Sequence, residues 1–243
     1  MSDYIRKTMK RLFRSTGAGG PPRKWRDPGY WSQMAYFNIL ILFCAFAAGL
    51  ALDTQGVQAK PAARVLALGD SITAGYGLSA SESLPSRLEA ALREGGHAVE
   101  VINGGVSGDT TAGGLARLDW MLADHPDLVI VELGGNDGLR GLDPKESYAN
   151  LDKILTKLDE AKIKVLLTGM LAPPNLGAEY GREFDAIFPE LARRHGCLLY
   201  PFILDGVAAK PELNQSDGIH PNAKGVEVIV GRLAPYVERV LGG

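Results

Sequence analysis

Two residues near the C-terminus have types and a spacing suited to proton transfer. Asp217 precedes His220 by three positions in the segment Asp217-Gly218-Ile219-His220-Pro221. A carboxylate at this spacing can accept the imidazole Nδ1–H, fix the tautomer and leave Nε2 free as a base. The same segment also fits an Asx turn followed by a helix start before a proline. His220 is therefore a candidate base with Asp217 as its orienting carboxylate, and the turn interpretation stays open beside it.

A candidate nucleophile, Ser71, follows an apolar run in the segment Gly69-Asp70-Ser71-Ile72-Thr73. A serine at a strand-to-helix turn faces the N–H groups and the positive dipole end of the helix. Asp and Ser are also preferred helix caps, so a capping role is the alternative. Thr73 stands where a Gly-x-Ser-x-Gly motif has its second glycine, which excludes the nucleophile elbow of the α/β-hydrolases.

Two glycine-containing segments follow other apolar runs and offer hydrogen-bond donors. The segment Asn103–Thr110 contains three glycines, whose backbone can approach a ligand closely. The segment Leu133–Gly138 contains Asn136, whose carboxamide N–H is a good donor to an oxyanion. Each segment alone also fits an ordinary tight turn. Together with Ser71 and the Asp-His pair, however, they supply the nucleophile, base, carboxylate and donors that acyl transfer needs.

Alternating apolar runs and amphipathic stretches predict the elements that position these residues. Nearly all-apolar strands are typical of a parallel sheet covered on both faces, so residues 60–243 are predicted to form a three-layer α/β/α sandwich with a five-stranded parallel sheet. Ligands bind beyond the carboxyl ends of such strands, where the candidate residues lie. The predicted strands are 65–68, 99–102, 128–131, 164–167 and 197–200. The clearest helical faces are Leu151, Ile154, Leu155 and Leu158, and then Val226, Ile229, Val230, Leu233 and Val237.

The first 59 residues differ from the rest, with eight basic and three acidic side chains. A basic leader, the uncharged apolar segment 35–52 and the small-residue site Val57-Gln58-Ala59 follow one another as in an export signal. Three interpretations are open: cleavage after Ala59, retention of 35–52 as a membrane anchor, or a start site placed too early, with Met9 or Met34 as the initiator. The first two place the domain outside the cytoplasm, in the periplasm or secreted.

Composition excludes several other classes of function. The formal net charge of −2 gives no electrostatic footprint for a nucleic-acid partner. Two cysteines cannot form a disulfide scaffold, and no Cys/His cluster has zinc-ligand spacing. Cys197 is expected to be a small buried hydrophobe. The remaining histidines lack a carboxylate within a strand-end loop and are expected at the surface: His97, His125 and His195.

The chain resembles the SGNH or GDSL hydrolase family over about residues 64–240, with the family's blocks in order. It looks closest to the bacterial periplasmic branch of multifunctional thioesterase I, lysophospholipase and arylesterase proteins. The departures are Ile72, where the family often has leucine, and the long basic leader. The blocks are Gly69-Asp70-Ser71, Gly108 within Asn103–Thr110, Gly134-Gly135-Asn136-Asp137 and Asp217…His220, supported by Ala74-Gly75-Tyr76-Gly77, Pro173-Pro174-Asn175 and Gly218-Ile219-His220-Pro221-Asn222.

The resemblance implies a flavodoxin-like hydrolase that forms an acyl-enzyme. By position, Ser71 attacks an acyl carbonyl, His220 transfers the proton and Asp217 orients His220. The N–H groups of Ser71 and Gly108 and the Asn136 side chain form the oxyanion hole. No metal or organic cofactor is implied.

The substrate class implied is a small acyl ester or thioester. Asp70 is expected to be structural and to brace the Ser71 turn. The segments 75–83, 111–120 and 172–180 are expected to border the acyl pocket. Two alternatives are a carbohydrate acetylesterase of the same family and a periplasmic α/β binding module without turnover. The oligomeric state is not readable from the sequence.

Overall fold

The computed structural model describes residues 7, 8, 11 and 62–242. The chain divides into two units, Met1–Ala59 and Lys60–Gly243. The expected export signal, its cleavage site and the alternative anchor 35–52 lie outside the described residues. Within the part of the chain that is described, no helix is both long enough and apolar enough to span a membrane.

Five parallel strands form one sheet in the spatial order β2-β1-β3-β4-β5. They are β1 (Ala63–Gly69), β2 (Val99–Gly105), β3 (Leu128–Glu132), β4 (Lys164–Thr168) and β5 (Leu198–Tyr200). Every residue of β3 is buried, which explains its unbroken apolar pattern. The predicted five-stranded parallel sheet is confirmed, and most of its strands extend one or more residues beyond the predicted limits.

Helices cover both faces of this sheet. Those within residues 62–242 are α1 (Ser71–Ala74), α2 (Leu84–Glu94), α3 (Thr111–Met121), α4 (Gly135–Leu139), α5 (Pro144–Glu160), α6 (Ala178–His195) and α7 (Ala223–Gly242). Helix α2 packs against α7, whereas α5 packs between α3 and α6. Because the strand order reverses at β1 and parallel crossovers are right-handed, these two sets lie on opposite faces. The three-layer α/β/α architecture predicted from the sequence is confirmed.

The helices bury the faces that their periodicity predicts. Leu151, Ile154, Leu155 and Leu158 of α5 are all fully buried. The predicted face of α7 is likewise buried from Val226 to Val237. Burying a leucine or isoleucine side chain contributes about 1.5–3 kcal/mol each. The core therefore depends on these stripes, which also hold the site-bearing loops over the sheet.

Strand β2 continues through two glycines that the sequence analysis placed in a ligand-binding loop. A Cβ at Gly105 would lie 2.1 Å from the backbone nitrogen of Ala74, and one at Gly104 would lie 2.8 Å from the carbonyl oxygen of Ala67. These glycines therefore allow α1 and β1 to pack closely against β2. Gly104 and Gly105 therefore belong to the strand, and Gly108, the glycine that the resemblance assigns to the oxyanion hole, lies in the loop beyond it.

Two expectations about isolated side chains also need correction. Cys197 is half-buried against the core rather than fully enclosed, and burial raises the pKa of its thiol to about 11. His195 is not a surface residue, because its side chain is only 8% exposed. It lies between two carboxylates of α5, with Nε2 2.9 Å from Asp152 and Nδ1 2.6 Å from Asp159. His195 thus links the end of α6 to α5.

This link should make stability depend on pH. Burial opposes the charged imidazole, but hydrogen bonds to Asp159 and Asp152 outweigh it and raise the pKa of His195. The stabilisation by a raised histidine pKa is complete below the unfolded pKa and is lost as pH rises through the folded one. We expect His195→Gln to lower the free energy of unfolding more at pH 6 than at pH 9, as measured by urea denaturation. His125→Gln, at an exposed histidine, is the control, and an equal loss at both pH values would contradict the assignment.

Candidate active site

The carboxyl ends of the strands bring Ser71 and His220 together. Ser71 begins α1 directly after β1, and Asp70 caps this helix by accepting the N–H of Ile72. His220 lies in the loop before α7, 149 positions later in the chain. The Asn222 side chain accepts the N–H groups of Lys224 and Gly225, so α7 begins after Pro221 rather than at it.

Ser71, His220 and Asp217 form a continuous chain of hydrogen bonds. Ser71 Oγ lies 2.9 Å from His220 Nε2, and His220 Nδ1 lies 2.7 Å from Asp217 Oδ2. The other Asp217 oxygen accepts the backbone N–H groups of Ile219 and His220 at 2.9 and 3.0 Å. Hydrogen bonds from the His220 backbone, the His220 side chain and the Ile219 backbone lower the pKa of Asp217 to about 2. An ionised carboxylate can only accept, so Nδ1 donates to Asp217 and Nε2 is free to accept the Ser71 proton.

Gly108 and Asn136 lie beside Ser71 on the wall of one cavity of about 400 Å³. Gly108 has a φ of +82°, a left-handed conformation that favours glycine. Asn136 is the second residue of α4. The structure therefore brings together all five residues that the sequence analysis singled out. The arrangement offers a nucleophile, a base and donors around one point, which is what acyl transfer requires.

Asp70 braces both the serine turn and Asn136. Its side chain is buried, with Oδ1 accepting the N–H of Ile72 at 3.0 Å and Oδ2 accepting Nδ2 of Asn136 at 3.1 Å. This contact uses one of the two N–H groups of the Asn136 carboxamide and leaves the other for a ligand. The neighbouring Asp137 turns away from the cavity and accepts the N–H and hydroxyl of Thr111.

Glu132, at the end of β3, is a buried carboxylate that the sequence analysis missed. Its Oε2 accepts the Thr73 hydroxyl at 2.7 Å and the Asp70 N–H at 3.2 Å, while Oε1 has no partner among the described residues. Burial raises the pKa of Asp70 to about 6, and burial together with the Asp70 charge raises the pKa of Glu132 well above its usual range. The sequence signal that could have found Glu132 is a carboxylate at the end of an apolar strand. The pair of Asp70 and Glu132 lies directly beneath the serine turn.

Apolar side chains complete the cavity, mainly from loops after β4 and β5. Tyr76 and Pro173 come from two of the segments expected to border it. The expectation for 111–120 is wrong, because this segment belongs to α3, packs against α5 and contributes nothing to the lining. Other strand ends supply lining residues that the sequence analysis did not name: Met170, Leu171, Phe202 and Leu204. Inspecting every strand end for apolar as well as reactive residues would have found them.

The chain matches the model of the GDSL-like Lipase/Acylhydrolase family over residues 67–228. It is 43% identical to an arylesterase of Vibrio mimicus over 185 residues, which cover 76% of this chain and 88% of the relative. It is 40% identical to thioesterase 1/protease 1/lysophospholipase L1 of Escherichia coli strain K12 over 209 residues, covering 86% and 92%. The chain belongs to the GDSL-like lipase/acylhydrolase family.

A solved structure agrees with this assignment. AlinE4, described as an SGNH-hydrolase family esterase, is 51% identical and superposes with a TM-score of 0.64, covering 75% of this chain and 98% of AlinE4. The resemblance stated from the sequence blocks is confirmed, and the protein is a hydrolase of ester bonds.

The buried pair of Asp70 and Glu132 should influence stability between pH 4 and 7. Because both pKa values are raised in the folded state, the stabilisation tied to their protonated forms is present below pH 4. For Asp70 it is lost as pH rises through about 6. Glu132→Gln removes one of these titrations and relieves the repulsion of the other carboxylate. The free energy of unfolding should therefore fall less, or rise more, from pH 4 to 7 in this variant than in the wild type.

Urea denaturation at pH 4, 5.5 and 7 measures this difference. Glu227→Gln is the matched control, since Glu227 pairs with Arg87 at 2.9 Å on the exposed surface. Parallel pH profiles for the wild type and Glu132→Gln would show that the buried pair does not titrate in this range.

Proposed function

We propose that this domain hydrolyses carboxylic esters and thioesters of apolar acyl groups through an acyl-enzyme on Ser71. The observation that carries the proposal is the chain of hydrogen bonds from Ser71 through His220 to Asp217, at the wall of a cavity with apolar lining. A helix cap needs no imidazole within hydrogen-bonding distance of its hydroxyl. This contact therefore favours a nucleophile over the alternative of a binding module.

In the first half-reaction, Ser71 Oγ attacks the acyl carbonyl carbon while its proton passes to His220 Nε2. The carbonyl oxygen gains negative charge and accepts hydrogen bonds from the N–H groups of Ser71 and Gly108 and from the Asn136 carboxamide. Asp217 stays ionised throughout and stabilises the imidazolium that forms. When the intermediate collapses, the bond to the leaving alcohol or thiol breaks, and His220 returns the proton to it.

In the second half-reaction, water replaces the leaving group. His220 Nε2 takes a proton from the water as its oxygen attacks the acyl carbon, and the same donors receive the new oxyanion. Collapse breaks the bond to Ser71 Oγ, which regains the proton from His220, and a carboxylic acid is released. Removing one oxyanion donor typically lowers kcat by about 10²–10³-fold, which raises the activation free energy by about 3–4 kcal/mol.

The lining of the cavity supports an apolar acyl group as the substrate. Hydrocarbon surface in the cavity that Ser71 lines comes from Met170, Phe202, Leu204 and Ile219. Among the residues that the structure describes, no lysine or arginine lines this cavity. A saturated chain of medium length gains the transfer free energy of each methylene that it buries, about 0.8 kcal/mol. An acetyl group would leave this surface uncovered.

We also propose that the domain acts outside the cytoplasm. The support is the order of basic leader, apolar segment 35–52 and small-residue site ending at Ala59. Cleavage after Ala59 would release the domain, whereas retention of 35–52 would anchor it to a membrane.

Labelling with a fluorophosphonate probe tests the nucleophile. We expect the wild type to be labelled at Ser71, and Ser71→Ala to lose the label and nearly all hydrolysis of 4-nitrophenyl esters, by about 10⁴-fold or more. The mutation removes one oxygen at a half-buried site, so the circular dichroism spectrum and melting temperature should stay unchanged. Undiminished turnover by Ser71→Ala would end the proposal, and a wild type without label would favour the binding module.

A panel of 4-nitrophenyl esters and acyl-CoA thioesters from C2 to C16 tests the acyl group. We expect kcat/KM to be highest between C6 and C12, because these chains cover the apolar lining. Met170→Ala should lower kcat/KM for C8 by about 5–20-fold and leave C2 nearly unchanged, since only the longer chain contacts this wall. A strict preference for acetyl groups would support the carbohydrate acetylesterase instead.

A further inference from the structure

The loop of residues 106–110, called the Gly108 loop below, carries one oxyanion donor and is held by two arginines. Arg140 donates from Nη2 to the carbonyl oxygen of Gly108 at 2.7 Å. Arg117 donates from Nε to the carboxylate of Asp109, the next residue in the loop, also at 2.7 Å. The proposed mechanism uses neither arginine in a chemical step.

Each arginine connects the Gly108 loop to an element that carries another proposed donor. Arg117 also donates from Nη2 to the carbonyl oxygen of Gly69 at 2.9 Å, two residues before Ser71. Arg140 is the C-cap of α4, and its backbone N–H donates to the carbonyl oxygen of Asn136. The two guanidinium groups therefore join the Gly108 loop to the Ser71 turn on one side and to the Asn136 helix on the other.

The backbone at Gly108 needs such support. Glycine populates positive and negative φ almost equally, so a loop centred on Gly108 at +82° has alternative conformations of similar energy. Rotation of the peptide before Gly108 would aim its N–H away from the oxyanion. An oxyanion donor is effective only when its direction is fixed before the reaction, because reorientation during the reaction costs free energy.

We propose that Arg117 and Arg140 are positioning residues that hold the Gly108 N–H in line with the Ser71 N–H and the Asn136 carboxamide. The proposal rests on the proposed function, since it assigns a role within that oxyanion hole. Arg117 and Asp109 form the stronger anchor, because their side chains are only 18% and 11% exposed. Arg140 is exposed and holds the loop through one hydrogen bond, so its removal leaves the fold intact.

The two arginines should differ in their tolerance of lysine. Arg140 makes one bond to the loop, which a lysine ammonium can reproduce. Arg117 uses a planar fork to reach Asp109 and Gly69 together, and a single ammonium cannot match both directions. Arg140→Lys should therefore rescue activity that Arg140→Ala loses, whereas Arg117→Lys should not restore the wild-type rate.

Steady-state kinetics with 4-nitrophenyl octanoate tests the proposal. We expect Arg140→Ala to lower kcat by about 10-fold, less than the 10²–10³ typical of a lost donor, because the N–H is misaligned rather than absent. KM should change less than two-fold, since the loop acts on the transition state and not on the acyl chain. Arg140→Lys should recover at least half of the lost kcat.

Arg93→Ala is the matched control. Arg93 also donates to a backbone carbonyl, that of Val99 at 2.9 Å, and also pairs with an acid, Glu89 at 2.8 Å, but at the opposite end of β2. Its kcat should equal that of the wild type. Melting temperatures of all variants separate positioning from folding, and Arg140→Ala keeps the test valid if Arg117→Ala does not fold.

The outcomes are distinguishable from failure of the proposed function. If the wild type is labelled at Ser71 by a fluorophosphonate but Arg140→Ala keeps a kcat within two-fold of Arg93→Ala, only the positioning role is overturned. A kcat loss that follows the melting temperature, with Arg140→Lys no better than Arg140→Ala, also overturns it. If the wild type is neither labelled nor active, the proposed function itself fails.

Discussion

The hydrogen bond between Ser71 Oγ and His220 Nε2 is the contact on which the rest of the site depends. It joins a residue at the end of the first strand to one just before the last helix, 149 positions away. Neither side chain has unusual reactivity alone, because a serine hydroxyl is a weak nucleophile without an adjacent base. The sheet and the α7 helix hold Ser71 Oγ and His220 Nε2 at a distance of 2.9 Å.

The parallel sheet explains why so many functional groups meet at one edge. Every strand ends at the same side, so the segments after β1, β2 and β3 place Ser71, Gly108 and Asn136 around one point. The segments after β4 and β5 contribute Met170 and Phe202 as apolar walls. The candidate oxyanion donors therefore come from the centre and one edge of the sheet, while the other edge supplies much of the apolar lining together with Asp217 and His220. Changes at Met170 and Phe202 are therefore expected to alter acyl preference.

The sequence predicts the architecture, and the residues that the structure brings together at the strand ends, better than it predicts their supports. Apolar runs and helical periodicity locate the strands and α5, since both depend on local pattern. The length of β2 was missed because Gly104 and Gly105 have poor strand propensity and belong there only through their packing against Ala67 and Ala74. The bonds of Arg117, and the burial of Glu132 beneath Asp70, depend on distances across the fold. No spacing along the chain reveals the bonds of Arg117, and the carboxylate that ends β3 indicates Glu132 without showing its partner.

The two buried carboxyl groups place an electrostatic constraint on the site. Asp70 and Glu132 place two carboxyl groups beside the proposed oxyanion hole, and an ionised pair there would oppose an oxyanion. Burial raises both pKa values, which reduces this charge at mildly acidic pH. His220 acts against the burial, because its charge interaction with Asp70 lowers the pKa of Asp70. An imidazolium at His220 would therefore be stabilised by Asp70 as well as by Asp217, so the buried carboxylate that opposes an oxyanion also favours the protonated base.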